Sequence, residues 1–545
     1  MEGSVGKVLG VSSEVLIVDA LAAGEGTRRS ALDVIGAGPR TLAGIFEDKG
    51  ISYRIARVED VLRRMSRYSK HDVVIVSAMT MDLVAARKIS RAFRSSFKVL
   101  GGPITCDPSV VADLGYDLGV FGEGEVAVDS LLDLGFEKVK LKVKEGAEEL
   151  KDIPNLILVE NGKALITRHE LLKKEEFNKY RPSFLAIRHY TSIPHYKASR
   201  VYVEVVRGCS NFNRAMILAD RQKCRVCGAC FSTDLSSRLI CPQKIPPGCG
   251  YCSIPAVYGY PKSRDLGLLI EEIKGLIRRR VKRIILSGAD FLEYGREEVA
   301  NPPTHPSEPK PNLEAIEMLL SSVTSIPEVR KGKVYIGVEN AKASLLTEET
   351  LILLANYLPG AVIHVGIETG DDRHATLLGR PSLPSKDVKA IELAIKAGLR
   401  VYVYFIHGLP GQTIETARKT VSMIERLYLA GVEKVTVYRF KPLPCSAFER
   451  MPEGPPSSRD PASRMIERAA RKFNLERKKE LVGKVIEVVL APGRRGRLRV
   501  AYPFKEGPTV IVKGVPKGLR VGDVFKSEIV SAESDRLVLG KFLAN

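Results

Sequence analysis

Seven of the nine cysteines lie between Cys209 and Cys252, and their spacing is that of metal ligands. A strand-like run ends in Arg207-Gly208-Cys209, and Pro247-Gly248-Cys249-Gly250-Tyr251-Cys252 closes the stretch. Between them stand Cys224-Arg-Val-Cys227-Gly-Ala-Cys230 and then Cys241-Pro242, the C-x2-C-x2-C and C-P spacing used by iron-sulfur ligands. Three thiolates can hold three irons of a 4Fe-4S cluster and leave the fourth iron open to chelate a small molecule. One division assigns such a site-open cluster to Cys209, Cys249 and Cys252, and a second cluster or a structural zinc to Cys224, Cys227, Cys230 and Cys241. A rival division takes Cys241, Cys249 and Cys252 as the open set; the place of Cys209 directly after a strand favours the first. Disulfides are the poorer reading, because clustered C-x2-C pairs without a secretion signal read as metal ligands.

A thiol triad needs a scaffold, and the sequence from residue 200 supplies one. Six strand-like runs, at 201–206, 283–287, 333–338, 361–367, 400–407 and 434–440, alternate with amphipathic segments. Six β-α repeats predict a partial (β/α)6 barrel, with its chemistry at the carboxyl ends of the strands. Those ends carry the cysteines, Ser287-Gly288-Ala289-Asp290-Phe291, Glu368-Thr369-Gly370-Asp371 and His407-Gly408-Leu409-Pro410-Gly411. Cys445, just past the sixth strand, would face the barrel mouth as a hydrogen donor, a ligand or a nucleophile. A buried small side chain is the plainer role for it.

Ahead of the barrel, residues 1–137 alternate buried β-branched runs with helices and predict a doubly wound α/β domain. Residues 138–199 read as a charged connecting region with one hairpin-like stretch at 156–166. The barrel spans 200–450 with a cysteine-rich insert at 210–248, followed by a linker at 451–478. From 479 to 545 five short strands parted by Gly-containing turns predict a small β-barrel.

At 545 residues the chain has room for about three domains. No apolar run approaches membrane-span length, and the Met1-Glu2-Gly3-Ser4 start is unlike a signal peptide, so a cytoplasmic protein without membrane contact is expected. The net charge of +20 suits a polyanionic partner, although a basic surface also fits heat adaptation. Glutamine occurs only at Gln222, Gln243 and Gln412 and tryptophan is absent, which points toward a thermophile.

Across 200–448 these motifs resemble the radical S-adenosylmethionine (SAM) superfamily. The stretches Ser287 to Arg296 and His364 to Arg373 look particularly like tRNA methylthiotransferases. The resemblance implies SAM chelated at the open iron and an electron donor to cleave it. Gly288 and Asp290 would then lie near the methionyl amine, Glu368 would accept from ribose hydroxyls, Gly408 and Gly411 would let the chain approach adenine, and Tyr251 would cover it. The first domain resembles that of cobalamin-dependent radical enzymes through Gly101-Gly102-Pro103 and Gly122-Glu123-Gly124-Glu125. Its ligand motif Asp-x-His-x-x-Gly is missing, since no histidine precedes His71, which leaves cobalamin open. The trio of cysteines found there in methylthiotransferases is also missing; Cys106 stands alone as a small core residue.

The carboxyl-terminal barrel resembles the TRAM domain, which implies RNA binding. Arg494, Arg495, Arg497, Arg499 and Lys513 would contact phosphates, and Tyr502 or Phe504 would stack on a base. Together these resemblances imply a radical SAM enzyme that modifies RNA, in particular tRNA, by methylthiolation or radical methylation. The alternatives are a radical SAM enzyme acting on a small molecule or protein, and a non-catalytic zinc- and RNA-binding protein.

Overall fold

The computed structural model describes residues 14–146 and 148–544, so the Met1-Glu2-Gly3-Ser4 start lies outside the described residues. The chain divides into two compact units, one running to Leu32 and over Gly36–Ser192, the other comprising Asp33–Ile35 and everything from Ile193.

In the first unit five parallel strands lie in the order Tyr53–Arg57, Val15–Asp19, Val73–Ser77, Phe97–Gly101, Leu118–Val120. Val15–Asp19 is buried along its whole length, as a central parallel strand covered on both faces must be. This is the doubly wound order in which a crevice opens beside the first strand, outside the carboxyl ends. The hairpin Leu156–Glu160 and Lys163–Ile166 is more than a connector: it pairs antiparallel with Leu118–Val120 and extends the sheet. Cys106 ends a short 3-10 turn after the Gly-Gly-Pro corner and is 7% exposed, the small core residue its solitude suggested.

The second unit contains the six-stranded partial barrel. Its strands are β1 (Arg200–Glu204), β2 (Arg283–Ser287), β3 (Tyr335–Val338), β4 (Val362–Glu368), β5 (Arg400–His407) and β6 (Lys434–Arg439). They pair in parallel as β3-β2-β1 and β4-β5-β6, and a bridge from Asn340 to His364 joins the two sheets. The short strand Val34–Ile35 lies on the far side of β1. Helices between the strands turn an apolar stripe inward; Leu266–Arg278 buries Leu269, Ile273 and Leu276.

Strand β6 would end the sheet with unpaired backbone groups, the usual liability of an edge. The helix Pro461–Lys479, which fills most of the 451–478 stretch, covers it. Its Asn474 amide accepts from Val435 N at 3.1 Å and donates to Val435 O at 2.6 Å, standing in for a seventh strand.

The carboxyl-terminal strands are β7 (Val485–Arg495), β8 (Leu498–Pro503), β9 (Thr509–Lys513), β10 (Val524–Ala532) and β11 (Leu537–Leu543). They close into a barrel in the order β7-β8-β9-β11-β10, around Val488, Leu490, Val510, Val512, Phe525 and Val538. Closure removes every edge.

This small barrel is packed against the amino-terminal ends of the partial barrel's strands. Arg283, 3% exposed, donates from Nε to Phe504 O at 3.1 Å and from Nη1 to Asp33 at 3.2 Å. Lys282 Nζ donates to Gly522 O at 3.0 Å, and Phe504 sits on Ile285 and Tyr335. The expectation that Phe504 stacks on a base is therefore overturned, while Tyr502 stays half-buried on the wall of the partial barrel's cavity. Phe504 is 4% exposed in this joint, and Tyr502 lies against His195 at a ring separation of 6.5 Å. Strand periodicity marks which residues share a face; it does not say that another barrel covers that face.

Truncating Phe504 to Ala should leave a cavity in the joint and cost about 3–5 kcal/mol. The check is chemical denaturation followed on the second unit, where a loss under about 1 kcal/mol would show that the joint carries little stability.

Candidate active site

Cys209 is delivered by backbone that only glycine tolerates. Gly208 has φ of +92°, and a Cβ there would stand 2.2 Å from Tyr260 O. The following amide donates from Cys209 N to Gly259 O at 3.1 Å, which fixes the turn. On the facing loop a Cβ on Gly250 would meet the Phe448 ring at 2.3 Å, and Cys252 N donates to Cys249 O at 2.8 Å. These two turns bring Cys209, Cys249 and Cys252 onto the wall of one cavity of about 680 Å³.

The environment of the three thiols suits a cationic group. Burial, then the neighbouring Cys249 and Cys209, push the Cys252 thiol up to about 12. Asn211 donates from its side chain to Cys249 Sγ at 3.3 Å and from its backbone to Cys209 Sγ at 3.5 Å. Arg380 Nη1 lies 3.6 Å from Cys249 Sγ and donates to the Tyr251 hydroxyl at 2.8 Å. Three crowded thiols resist ionising together in the bare protein, and metal bound between them would remove that resistance.

Cys224, Cys227, Cys230 and Cys241 gather elsewhere, around a cavity of about 30 Å³ that they share with Arg214. Gln243 donates to Cys224 Sγ at 3.0 Å. Arg214, 3% exposed, holds Nε without a hydrogen-bond partner beside these thiols. Arg238, 2% exposed, also stands beside Cys230, so two buried cations flank that thiol. Among the described residues no group of three or more His, Cys, Asp or Glu side chains is drawn tightly enough to hold a single metal ion.

Glu368 ends β4 at a register shift and has φ of +68°, an uncommon conformation for a residue with a side chain. It lines the large cavity; burial raises its carboxyl to about 7, with Arg380 opposing. Tyr251 lines the same cavity.

Other sequence candidates lie off the cavity wall. Gly288 packs where a Cβ would meet Val206 at 2.5 Å, and Ala289 takes the lining position. Asp290 is fully buried behind the wall, accepting from Leu292 N at 3.0 Å and pairing with Lys342 Nζ at 3.7 Å. Gly408 packs on the backbone of Gly454, and Gly411 lies against Ile217 and His374. Cys445 also lies off the wall, its N–H donating to Glu449 at 3.1 Å. Arg494, Arg495, Arg497 and Lys513 are exposed and Arg499 is half-buried; the first four of these five arginines and lysines in sequence ring the β7-β8 hairpin.

The groups that sequence reading missed line the lumen. Lys342 stands near the thiols, linked through Glu293 to the buried Arg296. Deeper down, the Tyr404 hydroxyl lies 2.6 Å from His364 Nδ1, and His364 Nε2 lies 3.4 Å from the Glu506 carboxylate. Burial raises the Glu506 carboxyl, but His364, Arg200 and Arg400 outweigh it and hold the group below its usual range. Glu506 comes from the β8-β9 loop of the small barrel, and Arg400 Nη2 donates to its carbonyl at 2.8 Å. Inward-facing alternation on β4 and β5 could have marked His364 and Tyr404; nothing local could have marked Glu506.

The radical SAM superfamily model matches residues 239–424, and this match, with the partial barrel and its thiol-walled cavity, defines a radical SAM enzyme. More narrowly, the chain belongs to the family of an uncharacterized protein of Methanopyrus kandleri, 39% identical over 97% of this chain and 96% of that one. A putative methylthiotransferase of Methanocaldococcus jannaschii is 23% identical over 69% of each chain. Among solved structures, the radical SAM methyltransferase TsrM of Kitasatospora setae, with cobalamin and a [4Fe-4S] cluster bound, superposes with a TM-score of 0.54 at 14% identity, over 80% of this chain and 77% of that one. The latter likeness is one of fold.

Glu368 supplies a pH test in the metal-free protein. Its folded value near 7 lies above the ordinary 4.5, so its favourable contribution is full below 4.5 and is lost as pH rises through 7. Glu368→Gln should therefore gain stability over the wild type across that window, by at most about 3 kcal/mol above neutrality. Denaturation midpoints of the two proteins from pH 4 to 8 check it; parallel curves would contradict the shift.

Proposed function

We propose that this radical SAM enzyme acts on a compact polar substrate enclosed in the lumen of its partial barrel. The observation that carries the reading is the shape of the main cavity: about 680 Å³, walled at one end by Cys209, Cys249 and Cys252 and floored at the other by Arg200, Arg283 and Glu506. That volume is typical of small-molecule sites. In this reading Cys209, Cys249 and Cys252 hold the site-open 4Fe-4S cluster, and the other four thiols hold a second one. Bound there, the open cluster supplies the electron that cleaves SAM reductively, which starts hydrogen abstraction from an unactivated carbon.

The chain's own residues have distinct work. Asn211 and Arg380 donate toward Cys249 and stabilise thiolate charge. Glu368 accepts from the ribose hydroxyls of SAM, and Tyr251, held by Arg380, flanks the adenine. Asn211, with its second amide bond to Gly379 O at 3.0 Å, keeps the cysteine loop in place. At the floor, Glu506 fixes the His364 ring, which can take a proton from the Tyr404 hydroxyl as Tyr404 takes one from the substrate.

For a corrinoid the residues present do not fit a histidine-ligated arrangement. The first histidine is His71, buried with Nδ1 2.8 Å from Tyr68 O, and no step above depends on such a cofactor.

A second reading, RNA modification, is favoured by the exposed arginines of the β7-β8 hairpin and by the methylthiotransferase relatives. Reaction with methyl-labelled SAM in the presence of both tRNA and a small-metabolite extract separates the two. A new mass in the small-molecule fraction other than SAM, methionine and 5'-deoxyadenosine supports the lumen reading; label or a new mass in tRNA nucleosides supports the other.

Cys249→Ala or Cys252→Ala should abolish 5'-deoxyadenosine formation, and Cys209→Ala should do the same. Replacing Cys224, Cys227, Cys230 and Cys241 together should lower iron content while sparing the first cluster's absorption. Loss of the open cluster in Cys241→Ala with retention in Cys209→Ala would reverse the division of ligands.

A further inference from the structure

We infer that the four-cysteine insert is an electron-entry port, and that the apolar patch on it docks a small acidic electron-transfer protein. The inference rests on the reading that this insert holds a redox cluster.

The patch is unusual for this protein. Four large apolar side chains among the described residues are more than 70% exposed, and three of them are Val226 at 90%, Phe231 at 76% and Ile240 at 72%. All three lie on the loop that carries the quartet, and Cys227 of the quartet is itself exposed. Exposed apolar surface concentrated at one place marks a contact site, and here the contact would lie directly over the thiols.

Charge selects the partner. Between Met216 and Pro246 there are five Lys or Arg and two Asp. Arg221, Arg225 and Lys244 are exposed around the patch, and Arg214 and Arg238 stand behind the thiols. An apolar centre with a basic rim complements an acidic protein whose own redox group lies near its surface. An RNA partner would ask for several aromatic platforms, whereas the patch offers one aromatic, Phe231, beside the aliphatic Val226 and Ile240.

The route inward is short in sequence. Four residues separate Cys209 from Arg214, which lines the quartet's cavity. Asn211 within that span bonds Cys249 Sγ, and Arg238 Nη2 donates to Asn213 Oδ1 at 2.7 Å. The two thiol sets are thus tied through one segment. For each SAM cleaved, one electron leaves the reduced carrier, which is oxidised by one electron, and is consumed at the three-thiol site.

The test uses the iron-loaded full chain and a flavodoxin of strongly negative net charge as probe. The variant combines Val226→Ser, Arg221→Glu and Arg225→Glu, none of which lines either thiol cavity. Calorimetry should show the flavodoxin bound at low salt and at least about tenfold more weakly by the variant. Flavodoxin-driven 5'-deoxyadenosine formation should fall about as far, while dithionite-driven formation and iron content stay as in the wild type. Equal flavodoxin affinity and equal flavodoxin-driven rates in the two proteins would overturn the port. So would tRNA affinity lost in the variant with flavodoxin affinity unchanged, which would assign the patch to RNA. Absence of SAM cleavage with dithionite in the wild type would instead defeat the proposed function, and the binding measurement would still decide whether the patch docks an acidic protein.

Discussion

The buried ion network beneath the partial barrel is the constraint on which the chamber depends. Asp33 accepts from Arg200 at 3.0 Å and from Arg283 at 3.2 Å, Arg283 reaches on to the carbonyl of Phe504, and Arg200 approaches Glu506 at 3.9 Å. Buried charges are tolerable only when paired and hydrogen-bonded. Here the pairing partners come from three distant parts of the chain, so satisfying the charges and closing the lumen are the same event. Without the small barrel, Arg283 and Arg400 would each lose a carbonyl acceptor.

Above that floor the protein keeps its two thiol sets chemically apart. The triad sits on a closed wall, with Cys209 9% exposed and amide and guanidinium donors aimed at its sulfurs. The quartet sits on a surface loop with one thiol exposed and two buried arginines behind it. Hydrogen bonding and burial around thiolates govern how readily a bound cluster takes an electron. The two environments therefore differ in both hydrogen bonding and burial of their thiols.

The architecture was legible in the sequence because each element carries its own period. Val15–Asp19 reads as a buried parallel strand, the helix Leu266–Arg278 has a clear apolar stripe, and five short runs foretell the closed terminal barrel. The division of cysteines also follows chain position, with Cys209 after a strand and the quartet in an insert. What could not be read was contact between elements far apart in sequence. Phe504 and Tyr502 looked like solvent-facing aromatics, and Glu506 carried no motif at all. Gly408 and Gly411 looked like ligand-facing glycines, whereas their lack of a side chain serves packing against Gly454 and Ile217. A glycine needed for close approach gives the same letter whether the approaching atoms belong to a ligand or to the protein.

The order in which the chamber is completed has a consequence for its biogenesis. Asp33 is translated long before Glu506, and both belong to the same floor. Synthesis proceeds at roughly 5–20 residues per second and domains fold as they emerge. Both thiol sets are thus translated before the residues that complete the floor of the lumen. A nascent chain that has not yet reached Glu506 already holds all seven of these cysteines but not the floor beneath them, so the cavity is completed only after its thiols are in place.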